Sequence, residues 1–174
     1  MSLERHLFPT AARHDALRRI LLSLDGSTTR ACEAIAEKPV KLVVHHQQQI
    51  AEAPPAVRSQ IGGGGWLERV TSLVSDQGVM MDNLSFTRLD AVPDWFLDAL
   101  NVGTAPVGHL LAKLFVRRET LSIDAEVADH LWRRVGMPDA HASRAYRIVT
   151  ETGPLMLIYE VFRGAMVRSD EARG

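Results

Sequence analysis

Two charged side chains stand where charge is costly. Glu160 lies inside the run Leu155-Met156-Leu157-Ile158-Tyr159-Glu160-Val161-Phe162, and in an extended chain it shares a face with Ile158 and Phe162. A carboxylate in that position is expected to lose part of its hydration. Arg69 falls in Leu67-Glu68-Arg69-Val70-Thr71-Ser72-Leu73, where alternation puts it on the face of Leu67 and Leu73 rather than on a freely solvated one. An arginine held among apolar neighbours suits a carboxylate ligand, because its planar fork meets both oxygens at once. A partly dehydrated glutamate suits proton transfer or the orientation of a hydroxyl. Periodicity alone favours a plainer reading of both, an ordinary ion pair or an edge exposure, since structural ion pairs also occupy such positions.

The other chemistry-bearing residues form no recognised motif. Gly62 to Gly65 are four consecutive glycines, but no strand feeds them into a helix and no lysine follows, so they read as a turn and not as a phosphate or dinucleotide loop. His45 and His46 are adjacent. In a regular strand neighbours point to opposite faces and cannot chelate one ion, so surface or edge-strand histidines are expected there. His130 and His141 have no ligand partner at a useful spacing, and no metal site is expected. Cys32 is the one cysteine; on a helix it reads as core. No Cys-His or Ser-His-Asp arrangement stands out.

These side chains must be positioned by a mixed set of elements. Residues 11–24 carry Leu17, Ile20 and Leu21 at helical spacing. Ser27 or Thr28 suits the N-cap of a second helix over 29–37, stopped by Pro39. Residues 40–49 alternate as a strand, and 51–65 read as a loop with Pro54, Pro55 and the glycines. Strands are expected over 66–75 and 79–89, joined by the turn Asp76-Gln77-Gly78. Pro93 opens a short helix to Leu100, and Gly103-Thr104-Ala105-Pro106-Val107-Gly108 leads into another over 107–114. A strand follows over 116–124. Residues 129–135 suit either strand or helix. Strands over 142–150 and 155–163 bend at Thr152-Gly153-Pro154, with Arg144, Tyr146 and Ile148 on one face. Helices come first, then strands interrupted by short helices, with no βαβ rhythm. The expected class is α+β with a largely antiparallel sheet.

The 174 residues suit one domain, its core about 11–166 and its two ends frayed. A formal net charge of -1 gives no general attraction to nucleic acid or to an anionic membrane, so an anionic ligand must be drawn by a local cation. One cysteine permits no intrachain disulfide. No leader-like or membrane-spanning apolar run is present, and a cytoplasmic protein is expected.

Four segments, in order, resemble the chorismate lyase family. They are Asp25-Gly26-Ser27-Thr28-Thr29-Arg30, Trp66-Leu67-Glu68-Arg69-Val70 with Asp76 beyond it, Gly103-Thr104-Ala105-Pro106-Val107-Gly108, and the closing stretch from Arg147-Ile148-Val149 through Gly153-Pro154-Leu155 to Tyr159-Glu160-Val161-Phe162. The likeness is closer to the actinobacterial branch. It implies a six-stranded antiparallel sheet with short helices enclosing a buried ligand site. It also implies an enzyme that converts chorismate to 4-hydroxybenzoate and pyruvate with no cofactor, as a monomer or homodimer. By motif match, Arg69 would grip the ring carboxylate, Thr28 and Val107 would contact the ligand, and Glu160 would face the hydroxyl end, with Arg69 and Glu160 the catalytic pair. Glu160 could act as general acid or simply orient the substrate, and an intramolecular hydrogen shift in bound chorismate is equally compatible. Where relatives carry a charged residue on the second strand of the central hairpin, this chain has Leu84 or Ser85. Arg88, Arg117 or Arg118 could replace that charge. A non-catalytic sensor of aromatic acids, or a lyase acting on a related enolpyruvyl acid, would use the same architecture.

Overall fold

Every strand of this chain pairs antiparallel with its neighbours, in the order β1-β2-β3-β6-β5-β4. The computed structural model describes residues 10–103, 105–122, 124–135, 142–163 and 166. The two chain ends expected to fray, Thr104 and His141 lie outside the described residues. The elements are α1 (Thr10–Ser23), α2 (Thr28–Ala36), β1 (Lys41–Ile50), α3 (Pro55–Ile61), β2 (Trp66–Ser75), β3 (Gly78–Arg88), α4 (Asp94–Val102), α5 (Val107–Leu111), β4 (Arg117–Leu121), α6 (Ala125–Val135), β5 (Ser143–Thr150) and β6 (Gly153–Phe162). The expected α+β class and six-stranded antiparallel sheet are what the chain adopts. No helix among the described residues is long and apolar enough to cross a membrane.

The sheet is buried on both faces, and each face has its own helices. On one, Val57 and Ile61 of α3 and Val127 and Leu131 of α6 pack on Val70, Leu84, Phe86, Tyr159 and Val161. On the other, Phe96 and Leu100 of α4 and Leu110 and Leu111 of α5 pack on Leu67, Tyr146, Ile148 and Ile158. Leu21 of α1 and Cys32 of α2 extend that second layer over Leu73, Met81 and Phe162. Double coverage explains why the four inner strands carry few exposed positions, and why the polar side chains within them must find partners or a ligand.

Local chemistry sets most boundaries. Ser27 caps α2, its hydroxyl oxygen accepting from the Arg30 amide at 3.4 Å. At the β2–β3 hairpin Ser75 pairs with Gly78, and Gly78 has φ +113°, a conformation that side chains resist. Three expectations are corrected. The stretch 51–65 is not all loop: Pro54 and Pro55 start α3 instead of excluding it, because a proline at the first helical position loses no hydrogen bond. The ambiguous stretch from Asp129 is part of α6, whose Val127, Ala128 and Leu131 sit three to four residues apart on the buried side. The helix at Val107 ends at Leu111, and the strand after it runs only from Arg117 to Leu121.

Candidate functional site

Glu160 is the hub of a buried polar cluster on the α4–α5 side of the sheet. It sits on β6 directly across from Arg144 on β5. Arg144 Nε donates to Glu160 Oε2 at 2.8 Å, and the Tyr146 hydroxyl donates to Oε1 at 2.8 Å. Thr28 Oγ1 lies 2.9 and 3.0 Å from the two carboxylate oxygens, and it accepts from Arg144 Nη2 at 2.8 Å. Arg144 Nη1 reaches the Leu24 carbonyl, which ties the α1–α2 junction to β5. The Tyr146 ring lies 5.0 Å under it. Burial, with the negative charge of Glu160 beside it, pushes the Tyr146 phenol far above its ordinary value and keeps it a donor. Glu160 is the acceptor in its bonds with Arg144, Tyr146 and Thr28.

The cluster forms one wall of a cavity bounded by Thr28, Thr71, Asn83, Val107, Ile158 and Glu160. Its volume is about 20 Å³, room for roughly one water. An aromatic ring enters only if side chains move apart. The roof is the start of α5. A methyl group on Gly108 would stand 2.6 Å from Thr29 Oγ1 and 2.9 Å from Ser27 Oγ, so only glycine lets α5 close this tightly on α2.

Arg69 lies on the same face, one alternation along β2 from Thr71, flanked by Gln47 on β1 and Ser85 on β3. It is 2% exposed. Among the described residues, its Nε and Nη2 have no hydrogen-bond partner, and neither has the buried Oε1 of Gln47. No carboxylate among the described residues lies within ion-pair distance of it. Burial lowers the guanidinium to about 10, which leaves it cationic at neutral pH. Thr28, Val107 and Glu160 therefore meet at one cavity. Arg69 shares their sheet face but not the cavity wall: it stands two strands and one alternation from Glu160, through Thr71 and Asn83.

The hairpin position expected to carry a charge resolves into two environments. Leu84 points to the α3–α6 side and is fully buried there, whereas Ser85 faces the site beside Arg69. Of the three arginines named as replacements, Arg88 is held by Asp90 and the Pro154 carbonyl, and Arg117 is paired with Glu119. Arg118 alone reaches the cavity wall. Arg144 and Tyr146 were not expected as partners of Glu160. The bend at Gly153-Pro154 carried that signal, since folding the hairpin there brings Arg144 opposite Glu160.

The model of the family described as Chorismate pyruvate-lyase Rv2949c-like matches residues 22–169, a span holding every residue of this cluster. The chain belongs to that family. No curated protein matches the sequence. Among solved structures, PhnF from Mycobacterium smegmatis is 14% identical with a TM-score of 0.51, covering 91% of this chain and 82% of that one. The effector domain of PhnF is 15% identical at a TM-score of 0.48, covering 80% and 89%. A transcriptional regulator of the GntR family from Bacillus cereus is 9% identical at 0.46, covering 75% and 96%. The likeness to PhnF shows a shared fold and nothing more.

The opposite face of this chorismate pyruvate-lyase relative carries polar chains of its own. The register of β1 on β2 shifts between Val44 and His46. This bulge corrects the expectation that the two histidines face apart, because an inserted residue re-aims its side chain. His45 Nε2 lies 2.7 Å from Ser72 Oγ and His46 Nε2 lies 3.4 Å from Glu68 Oε1, both on the α6 side. Glu68 also meets His130 of α6 at 2.6 Å. Ser72 in turn donates to Asp82 at 2.5 Å, which Arg163 pairs at 2.6 Å. This is a Ser-His-Asp chain that the sequence did not reveal, but the serine sits in the middle and its hydroxyl donates to the aspartate. A catalytic triad needs the histidine there. Among the described residues, no group of three or more His, Cys, Asp or Glu is placed to hold a metal ion.

Proposed function

We propose that this protein is a chorismate lyase that releases pyruvate from chorismate to leave 4-hydroxybenzoate. The observation that carries the reading is Arg69: a buried guanidinium with two unpaired donors, on the sheet face that also holds Glu160, Thr28 and Val107. An unpaired buried cation is costly unless an anion completes it, and a bidentate carboxylate is the anion its geometry fits. In this reading Arg69 holds the ring carboxylate. Glu160 accepts from the ring hydroxyl in place of one of its present donors, and Thr28 and Val107 confine the ring.

The chemistry needs little else. The C–H bond at the hydroxyl-bearing carbon breaks and its electrons complete the aromatic ring. The neighbouring C–O bond breaks, its electrons leave with enolpyruvate, and that group takes up the proton lost from the ring, directly or by way of solvent, to become pyruvate. Aromatisation drives the elimination, so the site mainly selects the reactive conformer and excludes water. The cavity holds about one water as it stands, so its lining side chains must part to admit a ring and would then pack closely on it.

A second reading is a non-catalytic binder of aromatic acids. It is favoured by Glu160, whose hydrogen bonds are already met by Thr28, Arg144 and Tyr146, so no proton donor of its own is aimed into the cavity. Incubation of the pure protein with chorismate, without added metal, separates the two. Equimolar pyruvate and 4-hydroxybenzoate are the expected outcome. Tight 4-hydroxybenzoate binding without turnover would install the second reading, and neither turnover nor binding would overturn both.

A further inference from the structure

Arg118 and Tyr146 stand between two spaces. Both line the cavity described above, and both also line a cleft of about 280 Å³ bounded by Leu24, Asp25, Thr120 and Arg144. The cavity wall has no exposed side chain, whereas Ser23, Asp25 and Thr120 of the cleft are exposed. The cleft is thus the surface side of the same wall, and it is much the roomier space.

The two cations of this cleft are not equivalent. Arg144 is spent on Glu160, Thr28 and Leu24. Arg118 donates one bond, from Nη1 to the Asp25 carbonyl at 2.9 Å, and stands 5.9 Å from the Tyr146 ring. Its Nε is buried, and among the described residues that atom has no partner and no carboxylate lies within ion-pair distance. Asp25 is the acidic residue on the cleft, and it engages Arg118 through its backbone. Arg118 is therefore a second guanidinium with unused capacity, on β4, while Arg69 is the first, on β2. Three strands separate theirs, so the backbones are about 19 Å apart at ~4.8 Å per strand. Arg118 closes part of that gap, since its side chain lines the same cavity as Glu160.

We propose that Arg118 receives the second carboxylate of a dicarboxylate ligand, and that the cleft outside it houses the group carrying that carboxylate. The inference rests on the chorismate-lyase reading, in which the ring acid belongs to Arg69 and the enolpyruvyl acid is the second carboxylate. It explains how a chain with Leu84 and Ser85 on the central hairpin handles a dianion: the missing charge comes from β4. It also gives the leaving pyruvate a route to the surface that does not pass the buried ring end.

The test compares a dicarboxylate with a monocarboxylate. In Arg118→Met, which keeps the stem packed on Tyr146, the KM for chorismate should rise about tenfold or more, the scale of one lost charge-assisted bond. The Kd for 4-hydroxybenzoate should move less than twofold. Arg118→Lys, which keeps the charge, should recover part of the chorismate KM. Equal losses for both ligands, or an unchanged chorismate KM in Arg118→Met with native circular dichroism, would overturn the assignment of Arg118 while leaving the lyase reading intact. A wild-type protein that binds 4-hydroxybenzoate but not chorismate also overturns it. A wild-type protein that binds neither removes the lyase reading itself, and this inference with it.

Discussion

Arg144 and Glu160 face one another across the β5–β6 hairpin, ion-paired at 2.8 Å with 8% and 3% of their side chains exposed. Neither charge has water to fall back on. Glu160→Gln leaves the guanidinium buried without its counter-charge and should lower stability by about 3–5 kcal/mol, read from urea unfolding. Arg144→Met combined with Glu160→Gln should cost less than the two single changes added together, because the stranded charge is gone. An additive cycle would mean that the pair contributes no net interaction.

Arg69 behaves oppositely. Its guanidinium is buried with no carboxylate partner, and burial alone takes it from 12.5 to about 10. At about 1.4 kcal/mol per unit this corresponds to a penalty on the order of 3 kcal/mol. Arg69→Met should therefore stabilise the unliganded protein by roughly 1–3 kcal/mol, raising its thermal midpoint by several degrees at about 2–4 °C per kcal/mol. The same variant should lose binding of 4-hydroxybenzoate by at least about thirtyfold. Calorimetry with and without ligand reads both effects, and a variant less stable than wild type would show that Arg69 already has a partner.

Alkaline pH should weaken the fold from a defined starting point. Burial, with Glu160 and Glu33 adding negative charge nearby, pushes the Cys32 thiol from 9.0 up to about 12, and burial raises the Tyr146 phenol further still. Both groups stay neutral in the folded chain where the unfolded chain would ionise. The stability they contribute is complete below about pH 9 and is lost as pH climbs from 9 toward 12, on the order of 4 kcal/mol for Cys32. Arg69 acts in the contrary sense only above about pH 10, where the folded chain releases its proton first. Cys32→Ala should remove the first part of the decline, which denaturant titrations between pH 8 and 11 would resolve. An unchanged slope in that variant would assign the decline elsewhere.

Much of this architecture was legible because two-sided burial leaves plain marks. The hairpins at Gly78 and Gly153 were readable from turn chemistry. Helix α2 was readable from Ser27 and Pro39, and the suspicion attached to Arg69 and Glu160 came from charge among apolar neighbours. What stayed hidden depends on register. A single inserted residue near His45 reverses which side the histidines reach, and no residue type announces it. Helix α3 was hidden for a different reason: two prolines read as a break, though one of them is well suited to a helix start. The distance of Arg69 from the cavity wall, and the arrival of Arg118 on it from another strand, follow from strand order, which local pattern does not encode.

The displaced register in β1 has an effect beyond the histidines. β1 is an outermost strand, hydrogen-bonded to β2 alone, and it carries Val43 and Val44 about 40% exposed. An uninterrupted ladder of that kind invites foreign strands to add on. With its amide rhythm broken midway, β1 offers an incoming chain no continuous template, and the molecule guards its own flank against fibre-like growth.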